Sequence, residues 1–454
     1  MENEQNDQLI LISGASSTGK AQPLHCEIKS PIRANLTFGS VQIGDDIFGE
    51  DGKIYKVLDV IEQGEQDCYE ITFNDGSSTC CNDRHLWTYY RGKKHLPNYE
   101  GVYTAELKTI RKLSTQNIYF KCPEPVSYPE NVHLIQPELM GMLLAEGGFT
   151  QTSITISVAE QEMIDRLQSF ILEPNYSFHK NKGDNYNYIL KYENFRGSKY
   201  DTNIYKNEIR RLGLLGLCST DKFIPEEYLR DSYENRMRLL IGMFNCDGSL
   251  QRKKHQPGSP TASYSTTSKR LRDDLLELCR SLGYRVSYSS DHRHWKYTSG
   301  ECFSVTIHTS LDRKLPFDSR KHLDKYTYPI KYVWQRRAIK SIEYVGKTEM
   351  RCITTSNPSG LYLTDDFIVT HNSASLANIR DPDKWFYFNC EHKRLPFKSK
   401  FQEFRITDPY QVHEGLDVVA ENKEVKGVII DTVTFLMDQM ESQHVLTSSN
   451  TMKA

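Results

Sequence analysis

Apolar and polar positions alternate in three different ways along this chain. Residues 8–13, Gln-Leu-Ile-Leu-Ile-Ser, form a short apolar run that stops at a glycine-rich loop, the pattern of a buried parallel strand. From Ala21 to about Lys121 the period becomes two. Segments 55–60 and 68–73 alternate, and the dipeptides Asp51-Gly52 and Asp75-Gly76 predict hairpin turns between strands. Pro123, Pro125 and Pro129 then mark a boundary. Residues 132–330 mix helical and strand periods. Two apolar helices are predicted over 134–146 and 236–247, and each ends on an acidic residue followed by glycine, as a pseudo-repeat would. Strand-like text resumes near Val333 and runs to Thr370 through the turns Asn357-Pro358-Ser359-Gly360 and Asp365-Asp366. Residues 373–454 return to an α/β pattern, with Val428-Ile429-Ile430-Asp431 as an apolar strand ending on a carboxylate. The predicted organisation is nested: an α/β unit split by a β unit, which is itself split by an α/β unit.

Composition narrows this picture. A chain of 454 residues holds about three domains at roughly 150 residues each. A hydrophobic content of 38% suits soluble globular units, and no apolar run approaches the roughly 20 residues of a membrane span. The polar, acidic N-terminus argues against a secretory signal. Eleven irregularly spaced cysteines predict reduced thiols in a cytoplasmic setting. Cys80, Cys81 and His85 fit no standard zinc spacing. Net charge is only −2, but residues 251–340 carry 19 Lys/Arg against 8 Asp/Glu, which predicts a surface for a polyanion.

The nesting explains two incomplete motifs. Gly14-Ala15-Ser16-Ser17-Thr18-Gly19-Lys20 lacks the Ser/Thr that ends a phosphate-binding loop, and that residue stands at Ser373. Joining Lys20 to Ser373 completes a Walker A motif, so residues 21–372 read as an insertion that must leave as protein. Ile368-Val369-Thr370-His371-Asn372-Ser373 has the residue types for that chemistry. An Asn side chain can cyclise onto its own carbonyl, a neighbouring His can assist as acid or polariser, and a Ser hydroxyl can receive an acyl group.

On these residues the chain resembles the intein family. Gly44-Asp45-Asp46-Ile47-Phe48-Gly49 and the stretch from Asp75 to Trp87 resemble its N-terminal blocks, with His85 as the expected histidine and Asn82 where a Thr is usual. Ala21 stands where most inteins have a Cys or Ser nucleophile. One reading is a mutated intein whose remaining activity is DNA cleavage alone. The other is a class 3 intein, whose marks of Trp, Cys and Thr resemble Trp87, Cys352 and Thr370. The resemblance implies an all-β Hint splicing domain (21–125 and 333–372) that needs no cofactor and acts as a monomer. Cys352 attacks the Lys20 carbonyl, His85 polarises it, Trp87 and Thr370 position the thiol, Ser373 takes the acyl group, and His371 assists Asn372 in cyclising. The splice junctions are Lys20–Ala21 and Asn372–Ser373.

The insert within the insert resembles a second family. Leu139-Met140-Gly141-Met142-Leu143-Leu144-Ala145-Glu146-Gly147 and Leu240-Ile241-Gly242-Met243-Phe244-Asn245-Cys246-Asp247-Gly248 resemble the LAGLIDADG motif of homing endonucleases. This implies a two-repeat α/β domain over 126–332 that cuts double-stranded DNA at a homing site. Glu146 and Asp247 are its Mg²⁺ ligands, and Lys269 is an active-site base or phosphate contact. The flanks, 1–20 and 373–454, resemble fragments of a RecA-like P-loop ATPase. There Gly14, Gly19, Lys20 and Ser373, with Asp431 as the Walker B acid, bind ATP and Mg²⁺ after splicing.

Overall fold

The computed structural model describes residues 20–91, 101–113, 118–150, 152–193, 203–253, 256–294, 299–324, 331–371, 381–390, 392, 400–422, 424–431 and 433–445. Gly14, Gly19, Asn372 and Ser373 lie outside the described residues.

Two long strands, Ile54–Phe73 and Ile339–Thr355, run antiparallel along their whole lengths, from Ile339 opposite Phe73 to Thr355 opposite Val57. They join pieces of sequence separated by more than 250 residues. On their flanks lie Gln22–Pro23, Asp46–Phe48 and Ser78–Cys81. A second sheet runs Arg336–Arg337, Ile118–Lys121, Leu86–Arg91, Val102–Glu106. The hairpin of Leu361–Thr364 with Ile368–His371 completes the unit. Its turn is tight: Asp366 and Phe367 both adopt positive φ. Inward-facing alternate residues, among them Ile71, Phe73, Trp87 and Phe120, form one core; Ile28, Phe38, Ile47 and Ile353 form another. Predominance of strand over helix follows from the period-two text.

The middle unit is built twice. Helix Pro137–Glu146 runs straight into strand Gly147–Phe149, and helix Tyr233–Asp247 runs straight into Gly248–Lys253. Each then continues into a four-stranded antiparallel sheet. The helices are apolar on nearly every side because they are buried on nearly every side. Their backbones touch at two glycines. A Cβ on Gly141 would lie 2.1 Å from the Leu239 carbonyl, and one on Gly242 would lie 2.1 Å from the Glu138 carbonyl. This reciprocal contact relates the two halves as a pseudo-twofold axis does.

The basic stretch is not a single open surface. Arg313 pairs with Glu124 at 2.7 Å, and Arg280 pairs with Asp366, so both tie the middle unit to the β unit. Arg337 is buried against Asp75 at 3.1 Å. Cations that the sequence assigned to a polyanion therefore work partly as internal ties. The C-terminal flank is a parallel sheet, in order Gln402–Arg405, Trp385–Asn389, Gly427–Asp431, with helix Tyr410–Glu421 against it. Among the described residues no helix is long and apolar enough to cross a membrane.

Candidate active sites

The first site forms where the N-terminal edge strand meets Ile339–Thr355. Gln22 faces Arg351 and Pro23 faces Met350. Continuing that antiparallel register by one residue sets Ala21 across from Cys352, about 5 Å away between Cα atoms. A thiol more than 300 residues downstream thus lies beside the Lys20–Ala21 bond. Ala21 is fully buried, Lys20 is 6% exposed and Cys352 is 6% exposed.

Electrostatics tie these groups together. Burial pushes the Cys352 thiol up to about 12, and the Lys20 ammonium pulls it partly back. Burial lowers Lys20 to about 8, opposed by Cys352, Glu106 and Asp431. Burial lowers His85 to about 3 and His371 to about 4, and the Lys20 charge depresses both further. Both imidazoles are therefore neutral at pH 7. His85 Nε2 is hydrogen-bonded to Thr370 Oγ1. Its Nδ1 has no hydrogen-bond partner, and the Lys20 backbone is the one group acting to raise its pKa. The imidazole therefore lies within reach of the Lys20 backbone, beside the scissile peptide.

Two residues that the sequence reading set around Cys352 lie against His85. The Thr370 hydroxyl is hydrogen-bonded to His85. Trp87 packs on His85, Phe73 and Phe120, with the His85 ring 5.6 Å away, in a core cluster that does not include Cys352. Both residues orient the histidine. Sequence reasoning also passed over Asn82, noted only as a departure from Thr. Its backbone N–H donates to the Ala21 carbonyl at 3.1 Å, and its side-chain oxygen accepts the Ala21 N–H at 3.4 Å. A third bond, from Nδ2 to Gln66 Oε1 at 2.8 Å, fixes the amide orientation. Spacing from His85 was the available signal.

The second site lies at the C-terminal ends of the paired helices. Glu146 and Asp247 emerge there with exposed side chains, although their helices are buried. Asp247 is raised to about 6 by partial burial and then by Glu146, and Glu146 is also raised, first by burial. The surface exposure means that solvent screens much of this. The direction still shows two carboxylates short of positive charge. Lys222 Nζ donates to the carbonyls of Leu143, Leu144 and Gly147 at 3.2, 2.9 and 2.7 Å, capping the first helix. Burial lowers it to about 8. Lys222 and Lys321 are the cations that act on the acids; Lys269, at the start of helix Lys269–Ser281, is not among them. In the C-terminal flank, Asp431 ends its strand as expected and accepts from the Tyr387 hydroxyl.

Comparison with known proteins bears on both sites. The homing endonuclease family matches residues 223–322, a span that includes Asp247. The chain is 26% identical over 391 residues to the replicative DNA helicase DnaB of Mycobacterium intracellulare, covering 80% of this chain and 60% of that protein. The two flanks hold only 102 residues, so a match of this length must run through the insertion as well. The chain thus carries a segment similar to homing endonucleases within a sequence similar to a replicative DNA helicase. It spans less than two thirds of that relative's length. Among solved structures, the MchDnaB-1 intein (N145AA) aligns with 78% of this chain and 100% of its own, at 11% identity and a TM-score of 0.25.

Proposed function

We propose that residues 21–372 are an intein that excises itself by the class 3 route. The observation that carries this reading is the pairing of Gln22 with Arg351, whose register, continued by one residue, sets Cys352 across from Ala21. The Cys352 thiolate attacks the Lys20 carbonyl. The Thr370 hydroxyl donates to His85 Nε2, which keeps the ring proton on Nδ1, toward the Lys20 carbonyl, where it polarises that bond. The C–N bond to Ala21 breaks, its nitrogen takes up a proton, and a thioester joins Lys20 to Cys352. Asn82 supports the departing amine, because an acceptor on its N–H favours the gain of positive character there. Ser373 then takes the acyl group as an ester. Asn372 cyclises to a succinimide and releases the intein, with neutral His371 at hand as a base. An O-to-N shift restores a Lys20–Ser373 amide. No step draws on a cofactor. Ala21 needs no nucleophile in this route, so the reading of a mutated, DNA-cleaving precursor is not required.

The middle unit is proposed as a two-repeat LAGLIDADG nuclease acting on double-stranded DNA. Two exposed carboxylates with raised pKa values fit a divalent cation, since neutralisation relieves both. Glu146 and Asp247 would hold Mg²⁺, which supplies Lewis-acid stabilisation of phosphate charge. Lys222 caps the end of the first helix beside them. The spliced host is proposed to bind ATP with Mg²⁺ through Gly14, Gly19, Lys20, Ser373 and Asp431.

Intact mass after expression tests the splicing proposal. The expected products are an excised fragment of 352 residues and a joined chain of 102. With Cys352→Ala the full chain of 454 residues persists. Unchanged cleavage at Lys20–Ala21 in that variant defeats the mechanism.

A further inference from the structure

A cluster that the splicing chemistry does not use lies on the other side of Ala21. The imidazole nitrogen of His25 and the sulfurs of Cys26 and Cys80 lie within 4.8 Å of one another. Two local features bring them together. The chain turns at 23–26, closed by a bond from the Cys26 N–H to the Pro23 carbonyl at 3.0 Å, so adjacent side chains converge instead of alternating. On strand Ser78–Cys81 alternation sends Cys81 into the core around Trp87 and leaves Cys80 on the opposite face. Cys80 pairs with Glu70 across the sheet, so Cys68 stands diagonal to it on the same face, and Cys68 packs with Cys80 against Ala21.

Three sulfurs and one imidazole make the donor set of a four-coordinate soft cation. We propose that His25, Cys26 and Cys80, with Cys68 as fourth donor, bind a thiophilic divalent cation of the zinc class beside the upstream junction. A tetrahedral ion with metal–sulfur bonds of about 2.3 Å needs donors roughly 3.8 Å apart, so closure of His25, Cys26 and Cys80 demands movements of about 1 Å or less, and Cys68 completes the set from the neighbouring position on the same face. His25 is exposed and provides the entry side, while Cys26 and Cys68 are buried.

Binding at this position regulates the junction. Gln22 donates to the Cys80 carbonyl and to Thr79 Oγ1, each at 3.1 Å, and Ala21 packs on Cys68 and Cys80. A cation that draws the donors together therefore clamps the strands on either side of Ala21. Acyl transfer requires the Ala21 amine to move away from the Lys20 carbonyl, so the clamp slows that step. This consequence rests on the splicing reading; binding itself does not.

The two are measured separately. Binding is followed in the full chain carrying Cys352→Ala and Asn372→Ala, which stays unspliced, by titrating Zn²⁺ against a chromophoric chelator and Co²⁺ for its thiolate charge-transfer band. One equivalent is expected. Cys80→Ser, and separately the surface change His25→Ala, should weaken binding by at least the roughly 10–100-fold lost when a metal's outer partners are removed. Binding that ignores both changes, no thiolate band, or a requirement for intact Cys352 each overturns the site. In Asn372→Ala with Cys352 intact, Zn²⁺ should slow cleavage at Lys20–Ala21 by tenfold or more, and His25→Ala should restore it. Insensitivity to Zn²⁺ at saturation refutes the regulatory clamp. Absence of cleavage without metal indicts the splicing reading instead.

Discussion

The pH dependence of the first acyl transfer follows from one buried thiol. Burial moves Cys352 from 9.0 to about 12, so at any fixed pH below 9 the thiolate is about a thousandfold scarcer than for an exposed cysteine, a cost of about 4 kcal/mol. The thiolate is the nucleophile. A raised pKa keeps the group neutral at pH 7, so the rate climbs as pH rises, about tenfold per pH unit. Lys20 modifies the slope. Its ammonium favours the thiolate, and an opposite charge in close range is worth roughly ten- to thousandfold in the charged form. Lys20 itself is lowered to about 8, so that help fades as pH passes 8 and the profile bends below tenfold per unit. His85 and His371, lowered to about 3 and about 4, add no inflection near neutrality. The assay uses Asn372→Ala, which cannot release the intein after acyl transfer, with saturating hydroxylamine to free the N-terminal fragment from its thioester or ester and mass spectrometry to count it. Lys20→Met should slow release at least tenfold at pH 7 and abolish the bend. A profile flat from pH 6 to 8, or release at an undiminished rate in Cys352→Ala, would falsify this account.

Gly242→Ala places a Cβ 2.1 Å from the Glu138 carbonyl, so the helices must part; thermal unfolding should show a loss of about 3 kcal/mol, with DNA cleavage lost alongside. Asp247→Asn should abolish cleavage of DNA carrying the uninterrupted host sequence yet raise stability at pH 7, by under about 1 kcal/mol because the group is exposed. Its folded pKa of about 6 lies above the ordinary 3.8, so the charged form costs stability above 6 and that cost vanishes as pH falls below 3.8; the difference between variant and parent melting curves should close over that window. Asn82→Ala removes the acceptor on the Ala21 N–H, and the hydroxylamine assay should report a drop of about tenfold with an unchanged pH profile. A shifted profile would mean that Asn82 acts through the thiol rather than the leaving amine.

What could be read from residues alone was whatever chemistry leaves in periodicity and motif. The β text of 55–60 and 68–73 belongs to a single 20-residue strand, because nothing in a polar, period-two stretch marks whether a strand turns or continues. The close contact at Gly141 and Gly242 was legible because only glycine lets helix backbones meet. The partner of Thr370 was not: a hydroxyl has no preferred spacing, and the choice between Cys352 and His85 depends on a sheet register that only folding sets. The inward roles of two cations of the basic stretch were hidden for a related reason. Charge count records how many guanidiniums there are, whereas Arg280 and Arg313 are drawn inward by Asp366 and Glu124, which lie in other parts of the chain. His25, Cys26 and Cys80 were invisible for the same cause, their convergence being the product of one turn and one strand alternation. The misses at Thr370, Arg280, Arg313 and Cys80 involve partners tens to hundreds of residues away, whereas the glycine of each helix motif was marked by a pattern within ten. An insertion that must bring its two ends together places its chemistry in the first class. A motif search can therefore find the junction residues, but their assignment to hydrogen-bond partners has to come from the register of Gln22–Pro23 on Ile339–Thr355 and of Leu361–Thr364 on Ile368–His371.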